Sequence, residues 1–311
     1  MRVGVVGLGK MGRALARRLL AQGVEVTVWN RSRPAVDALE DEGARGAAEL
    51  GAVWSGADAV VTFLADDAAV EAVCLGPGGL LSTAPEGGLL VEMSTISPAG
   101  SARVAEAAGA RGVGYLRSPV SGNPEVLAAG NLTLIVSGHP DAFGAGRPLL
   151  ERIGAKVFHV GDGEQARVVK LAVNAVVGTT AQMLAETVAL GEANGLSRAA
   201  FLEVLASSAV GSPFVGYKRE ALLERRYEAT FTTAMLLKDL TLALDLAERS
   251  AVPLPVTALV ADLARATCEE GLGDLDMLAL LPHLQRLAGR PADATPSDEG
   301  VPAGGAPGAR P

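Results

Sequence analysis

The chain has 311 residues, 49% of them hydrophobic, with 27 Lys and Arg against 35 Asp and Glu for a net charge of −8. That length holds two domains of ordinary size, and the acidic balance argues against a general nucleic-acid or anionic-membrane surface. The two cysteines, Cys74 and Cys268, lie far apart without C-x-x-C spacing, which gives no disulfide or zinc framework and suits a reducing, cytoplasmic setting.

The first element is an apolar strand, Val3, Val5 and Val6, that runs straight into Gly7-x-Gly9-x-x-Gly12. A helix from Lys10 to Gln22 and a strand from Val24 to Trp29 complete a strand, helix, strand unit, the context in which this spacing binds a dinucleotide. Gly7 permits the tight turn and Gly9 lets the backbone approach a pyrophosphate. Gly12 lets the helix pack closely, with its positive N-terminus facing the phosphates. The second strand ends in Asn30, Arg31, Ser32 and Arg33, where an NAD site would place a carboxylate on the ribose 2′-hydroxyl. Guanidinium and hydroxyl donors there favour a 2′-phosphate, and so NADP(H) over NAD(H), unless the arginines simply form a solvated turn before Pro34.

Later strand candidates are Ala59 to Leu64, Leu89 to Met93, Gly112 to Leu116, Leu132 to Ser137 and Lys156 to Val160. Their alternation with helical stretches predicts a doubly wound, mainly parallel sheet over residues 1–161. Two strands empty into segments with unusual chemistry. Met93-Ser94-Thr95 either opens onto the ligand crevice or forms a turn and cap ahead of Ser97-Pro98. Arg117 to Pro124 follows another strand, and Asn123-Pro124 reads as the N-cap and first residue of a short helix to Ala129. Ser121 and nearby backbone donors make an anion pocket there, although the composition equally suits an ordinary turn.

After Gly161 strand signals stop, and helical periodicity continues to about Leu287 with breaks near Gly195, Gly211, Pro253 and Gly271. This predicts an all-helical second domain over residues 162–288. Its first helix, Glu164 to Asn194, runs about 45 Å, long enough to reach from the first domain through the second. Apolar residues such as Val168, Val176, Met183 and Leu190 occupy most of its circumference, so it needs cover on nearly all sides, as in a homodimer or higher homo-oligomer. Within it, Lys170 costs desolvation unless something uses it, and Asn174 follows one turn later on the same face, with Arg167 one turn before. The alternative is a lysine that snorkels to water. The Pro/Gly/Ala-rich stretch 289–311 reads as a disordered tail. No apolar run reaches the roughly 18 residues that span a bilayer, and His139, His159 and His283 lack metal-ligand spacing.

These segments carry a resemblance. VGLGKMG at the start, MST at Met93, PVSG at Pro119, the Lys170 to Asn174 spacing, and Phe231 through MLLKDL ending at Leu240 are similar in kind and order to the β-hydroxyacid dehydrogenase family. That family includes 3-hydroxyisobutyrate dehydrogenases and glyoxylate/succinic semialdehyde reductases. The match covers nearly everything but the tail. The resemblance implies a Rossmann-type sheet domain followed by an all-α domain with a long interdomain helix. It also implies hydride transfer between NADP(H) and a small β-hydroxy acid or its semialdehyde or oxo acid. Lys170 would be the catalytic acid and base and Asn174 its positioner, with Ser121, Gly122 and Asn123 against the substrate carboxylate. Phe231, Lys238 and Asp239 would line the substrate and cofactor side, and Gly7, Leu8, Gly9, Lys10, Met11, Gly12, Asn30, Arg31, Ser32, Leu64 and Thr95 would hold the dinucleotide. For Lys170 to act as a base, burial and the oxidised nicotinamide must lower its pKa from about 10.4.

Three departures stand out. Arg117 replaces a usual Asp, where it is placed to meet a second anionic group of the substrate or to turn to solvent. Asn123 stands where a second glycine is usual, and Val173 replaces the first of two adjacent asparagines. Rival readings are an imine reductase, whose relatives generally lack the lysine, a 6-phosphogluconate dehydrogenase, which is much longer, and a non-catalytic NADP(H)-binding scaffold.

Overall fold

The computed structural model describes residues 1–293. They form two compact units, one of Met1–Val173 and one from Asn174 onward. In the first, β1 (Arg2–Val6), β2 (Glu25–Trp29), β3 (Arg45–Gly46), β4 (Ala59–Thr62), β5 (Leu89–Glu92) and β6 (Gly114–Arg117) make a wholly parallel sheet. The order is β3-β2-β1-β4-β5-β6, so the direction of winding reverses beside β1. Helices α1 (Lys10–Ala21), α2 (Pro34–Glu40), α3 (Asp67–Leu75), α4 (Leu80–Thr83) and α5 (Pro98–Ala110) connect the strands. Strand alternation sends Val61, Leu89 and Val91 into one core with Leu15 and Leu19, and Val60 and Leu90 into another with Trp54 and Val104.

The remaining strands do not extend this sheet. β7 (Val120–Ser121), β8 (Thr133–Val136) and β9 (Lys156–His159) form a second, mixed sheet, with α6 (Pro124–Ala128) and α7 (Pro140–Ile153) between them. β7 runs antiparallel to β8, because the chain turns back through Ser118-Pro119 after β6, and only an isolated antiparallel bridge of Arg117 with Ser137 relates the ends of β6 and β8. The short β3 and β7 carry no two-residue periodicity long enough to read from the sequence.

The second unit is helical: the part of α8 (Gln165–Ala193) from Asn174 onward, α9 (Arg198–Ser207), α10 (Pro213–Leu223), α11 (Thr233–Arg249), α12 (Pro255–Thr267) and α13 (Leu280–Leu287). Its core gathers Val188, Leu202, Leu222, Leu236, Leu240, Val260 and Leu281. Gly271, with φ +80°, ends the helical run after α12, whereas the break between α10 and α11 has no glycine or proline to announce it.

Three expectations change. The division between units falls inside α8 after Val173 rather than at Gly161, because the first turns of α8 belong to the sheet unit. There Ala166 N–H donates to Ser137 Oγ (3.2 Å) and Arg167 is buried against β5. The stretch from Gly289 begins as ordered chain, since Asp293 is held by Arg198 (2.7 Å), Arg225 (2.9 Å) and the Tyr227 hydroxyl (2.8 Å). Residues 294–311, the rest of the expected tail, lie outside the described residues. Finally, α8 is long and apolar enough by composition to cross a membrane, with mean hydropathy 1.4. Here Leu171, Ala181, Leu184, Ala185 and Val188 spend that apolarity on the protein core, while Val168, Val176, Met183 and Leu190 leave an apolar stripe exposed.

Candidate active site

The glycine loop lies between the carboxyl end of β1 and the start of α1, at the point where winding reverses. Gly7 has φ +88°, and a Cβ there would fall 2.1 Å from the Phe63 carbonyl oxygen. A Cβ on Gly12 would fall 1.9 Å from the Gly7 carbonyl oxygen, so both glycines are required by the fold itself. Gly9 differs. A Cβ there would meet nothing within 4 Å, and as N-cap of α1 it brings no side chain to the first-turn amides. An open cradle at a helix N-terminus without a side-chain cap fits a dinucleotide pyrophosphate.

Asn30 braces this loop. Its Oδ1 accepts from Leu8 N–H (3.0 Å) and its Nδ2 donates to Ser32 O (3.1 Å) and Oγ (2.9 Å), so its polar atoms hold the turn in shape. Arg33 is drawn away by Asp37 and Glu40, while Arg31 is exposed and makes no ion pair among the described residues. Lys10 is exposed at the start of α1, and Met11 packs part-buried on the core.

At the ends of β4 and β5 a buried network appears that no motif announced. Leu64 N–H donates to Ser94 Oγ (2.7 Å), and Ser94 N–H donates to Glu92 Oε1 (2.8 Å). Arg167, 1% exposed, donates from Nη1 to Ser94 O (2.7 Å), from Nε to Ser101 Oγ (3.2 Å), and from Nη2 to Tyr115 Oη (3.3 Å) and Glu92 Oε2. Burial pushes Arg167 toward neutrality, but Glu92, Tyr115 and Glu164 together outweigh this and hold it above the ordinary guanidinium value. Burial also pushes the Tyr115 hydroxyl up to about 12, so it stays protonated. The cap of α5 is made by Ser97, which accepts from Gly100 N–H (2.9 Å), so the adjoining Ser94-Thr95 turn is not needed for capping. Glu92 within an otherwise apolar strand is the signal that points to this network.

Ser121 sits on β7 opposite Thr133. Gly122 has φ +138°, and a Cβ there would come 2.5 Å from Leu132 Cδ2, so the fold alone demands glycine. Asn123 Oδ1 accepts from Val126 N–H (2.9 Å) and caps α6, so one atom of this side chain serves the fold beside Ser121. Arg117 has an internal partner. Its guanidinium is buried, lies over the Tyr115 ring (4.8 Å), and donates twice to Glu164 Oε1 (2.8 and 2.5 Å). An acid from the turn before α8 thus pairs with the unusual arginine inside the fold.

Lys170 is half-buried on α8, and Asn174, one turn on along the same face, is buried. Asn174 Nδ2 donates to Asp239 Oδ2, and Lys238 Nζ lies 3.0 Å from Asp239 Oδ1. Asp239 thus fixes the Asn174 amide. Phe231, half-buried, packs against the helical core and precedes Thr232, the N-cap of α11. The histidines have local partners: His139 accepts from Asp141 N–H (3.3 Å), His159 stacks on Phe143, and His283 meets Glu270 (2.9 Å).

Known proteins share this arrangement. Residues 2–161 match the NAD-binding domain of 6-phosphogluconate dehydrogenase, and residues 164–284 match the NAD-binding domain of NADP-dependent 3-hydroxyisobutyrate dehydrogenase. A 3-hydroxyisobutyrate dehydrogenase of Pseudomonas aeruginosa is 36% identical over 282 residues, 87% of this chain and 95% of its own. A 2-(hydroxymethyl)glutarate dehydrogenase of Eubacterium barkeri is 32% identical over 294 residues, 93% of this chain and 96% of its own. Among solved structures, Psf3 in complex with NADP+ and 2-OPP superposes with a TM-score of 0.84 at 30% identity, covering 91% of this chain and 99% of Psf3.

Proposed function

This chain belongs to the β-hydroxyacid dehydrogenase family and is an NAD(P)-dependent oxidoreductase; on that premise we propose that it moves hydride between NADP(H) and a small β-hydroxy acid or its semialdehyde or oxo acid, with Lys170 as general acid and base. The observation that carries the assignment is the Lys170–Asn174 face of α8. Nδ2 of Asn174 donates to Asp239, which fixes the orientation of an amide that lies one turn from the Lys170 amine on the same face of α8. The nicotinamide, when bound, supplies or accepts the hydride. Lys170 delivers a proton to the carbonyl oxygen during reduction and takes it back during oxidation, while Asn174 holds the amine without adding charge. Ser121 and the Gly122-Asn123 backbone receive the substrate carboxylate, as the resemblance implies.

The NADP(H) preference is supported by Asn30 in place of a carboxylate, by the Ser32 hydroxyl, by Arg31 standing exposed with no ion pair among the described residues, and by the NADP+ in the Psf3 complex. The exposed stripe of Val168, Val176, Met183 and Leu190 supports a homodimer that covers α8, and the two free cysteines support a cytoplasmic location. The test is a panel of C2 to C5 semialdehydes, 2-oxo acids and cyclic imines with NADPH and NADH, on wild type and Lys170→Met. We expect turnover of a semialdehyde or oxo acid, higher kcat/KM with NADPH, and a loss of roughly 10²- to 10⁴-fold in the variant with NADPH affinity kept. Wild-type turnover in Lys170→Met removes the assignment, and cofactor binding without turnover of any compound points to a scaffold. A monomeric mass by light scattering at micromolar concentration refutes the dimer.

A further inference from the structure

We propose that Arg167 is a positioning residue for the reaction: its guanidinium, braced by Glu92, locks the Ser94-Thr95 peptide at the end of β5 to the turn of α8 that carries Lys170. The inference rests on the reading of Lys170 as proton donor and of Thr95 as part of the cofactor wall.

A fully buried arginine in the first turn of an apolar helix has no packing reason to be there, because desolvating its charge costs more than an aliphatic side chain would. What the fork provides instead is several directed donors at fixed angles, and here they reach three separate elements. Nη1 holds the carbonyl of Ser94 (2.7 Å), the oxygen of the peptide that leads into Thr95. Nε reaches Ser101 on α5 (3.2 Å), and Nη2 reaches Tyr115 on β6 (3.3 Å) and Glu92 on β5. Glu92 completes the grip through its other oxygen, which accepts the N–H of the same Ser94 (2.8 Å). Residue 94 is therefore clamped at both its amide and its carbonyl by one ion pair. The Ser94 hydroxyl passes the constraint on to the loop after β4 by accepting from Leu64 N–H (2.7 Å). Lys170 lies three residues beyond Arg167, so the rotation of α8 that buries the guanidinium also sets the direction in which the Lys170 amine leaves the helix. A lysine at 167 would keep the charge but lose the fork, and the Ser94 carbonyl and the Glu92 carboxylate could no longer be held together.

The test compares Arg167→Lys and Glu92→Gln with wild type and with Lys170→Met, using the semialdehyde or oxo acid that wild type turns over fastest. Four quantities are read: NADPH affinity by fluorescence titration, Tm, kcat with KM, and the primary isotope effect with 4-deuterated NADPH. A loosened clamp leaves cofactor and substrate binding within about 3-fold but lowers kcat roughly 10- to 100-fold, since misplacement of the reacting groups by about an ångström has that effect. The isotope effect rises as hydride transfer becomes limiting. Wild-type kcat and isotope effect in folded, NADPH-binding Arg167→Lys and Glu92→Gln overturn the proposal. Loss of fold or of cofactor affinity in both variants also overturns it, because the pair is then simply part of the core. If Arg167→Lys alone fails to fold, Glu92→Gln decides between these outcomes. Wild-type turnover in Lys170→Met overturns the functional reading instead, so the two failures are distinguishable.

Discussion

Each unit holds an ion pair whose two side chains are at most 3% exposed, and these two pairs are built in opposite senses. In the sheet unit, Glu92 and Arg167 are paired, and the cation is the hub: Arg167 spreads its donors over Ser94, Ser101, Tyr115 and Glu92. In the helical unit, Lys218 and Asp276 are paired at 2.6 Å, and the anion is the hub. Asp276 accepts from Lys218 Nζ, Thr230 N–H (3.1 Å), Thr230 Oγ1 (3.0 Å) and Leu278 N–H (3.2 Å), and so ties the segment before α11 to the turn before α13. The electrostatics differ accordingly. Burial lowers both cations, but Glu92 and Tyr115 keep Arg167 above its ordinary value, whereas Lys218 ends below its own despite Asp276. A delocalised fork stays charged in the interior and reaches backbone in several elements, while a compact ammonium relies on the carboxylate to make the wider connections.

The sharpest way to break that contrast is to remove the partners of the helical pair one at a time. Asp276→Ala leaves a buried ammonium without its partner and orphans the Thr230 and Leu278 amides, which should cost about 3–5 kcal/mol in urea unfolding. Lys218→Met leaves Asp276 still bonded to Thr230 and Leu278, so its cost should be smaller by about 1 kcal/mol or more. Equal costs, or a larger cost for Lys218→Met, would mean that the carboxylate is not the hub.

The same contrast between local and distributed structure decides what could be read from the chain. The glycine loop was legible because every part of it is local: β1, the three glycines and α1 occupy residues 2–21, and two of the three glycines are explained by clashes within that stretch or with the neighbouring strand end. The Glu92–Arg167 pair spans 75 residues of sequence and Lys218–Asp276 spans 58, and neither has a spacing that marks it. Arg117 is the instructive case. It is visible as an oddity beside the PVSG segment, but its partner Glu164 lies 47 residues on, and only the fold shows that the two are paired. The Asp239 bond that orients Asn174 was hidden for the same reason, although both residues were singled out.

Within the sheet unit, the glycines sharpen the distinction between residues that serve the fold and residues that serve a ligand. Gly12→Ala forces a Cβ to within 1.9 Å of a backbone oxygen, so the loop or α1 must move. We expect a stability loss of about 1–3 kcal/mol together with lost NADPH binding. Gly9→Ala meets no protein atom within 4 Å, so its Tm should stay near wild type while NADPH affinity falls. Thermal melts paired with cofactor titration check both, and a destabilised Gly9→Ala or a cofactor affinity unchanged in it would remove Gly9 from the binding site.

The smallest effect separates the units by pH. In the helical unit, burial pushes Asp293 up, but bonds from Arg198 and Tyr227 and the charges of Arg198 and Arg225 outweigh it and hold the carboxyl below its ordinary range. Glu270 is likewise raised by burial and held low overall by His283 and Arg286. A carboxyl depressed in the folded state adds stability that is fully present above its unfolded pKa, about 4, and is lost as pH falls from there through the folded value. In the sheet unit the comparable group, Glu42, pairs with Arg17 at the surface, where solvent screens the interaction. Trp29 and Trp54 both lie in the sheet unit, so tryptophan emission follows that unit alone, whereas helical circular dichroism sees both. Between pH 5 and 2, on the scale set by those carboxylate values, the urea midpoint from circular dichroism should fall further than the midpoint from emission. Asp293→Asn should flatten that excess slope by deleting the group that titrates. Identical pH slopes for the two probes in wild type would show that the helical unit draws no extra stability from its depressed carboxyls.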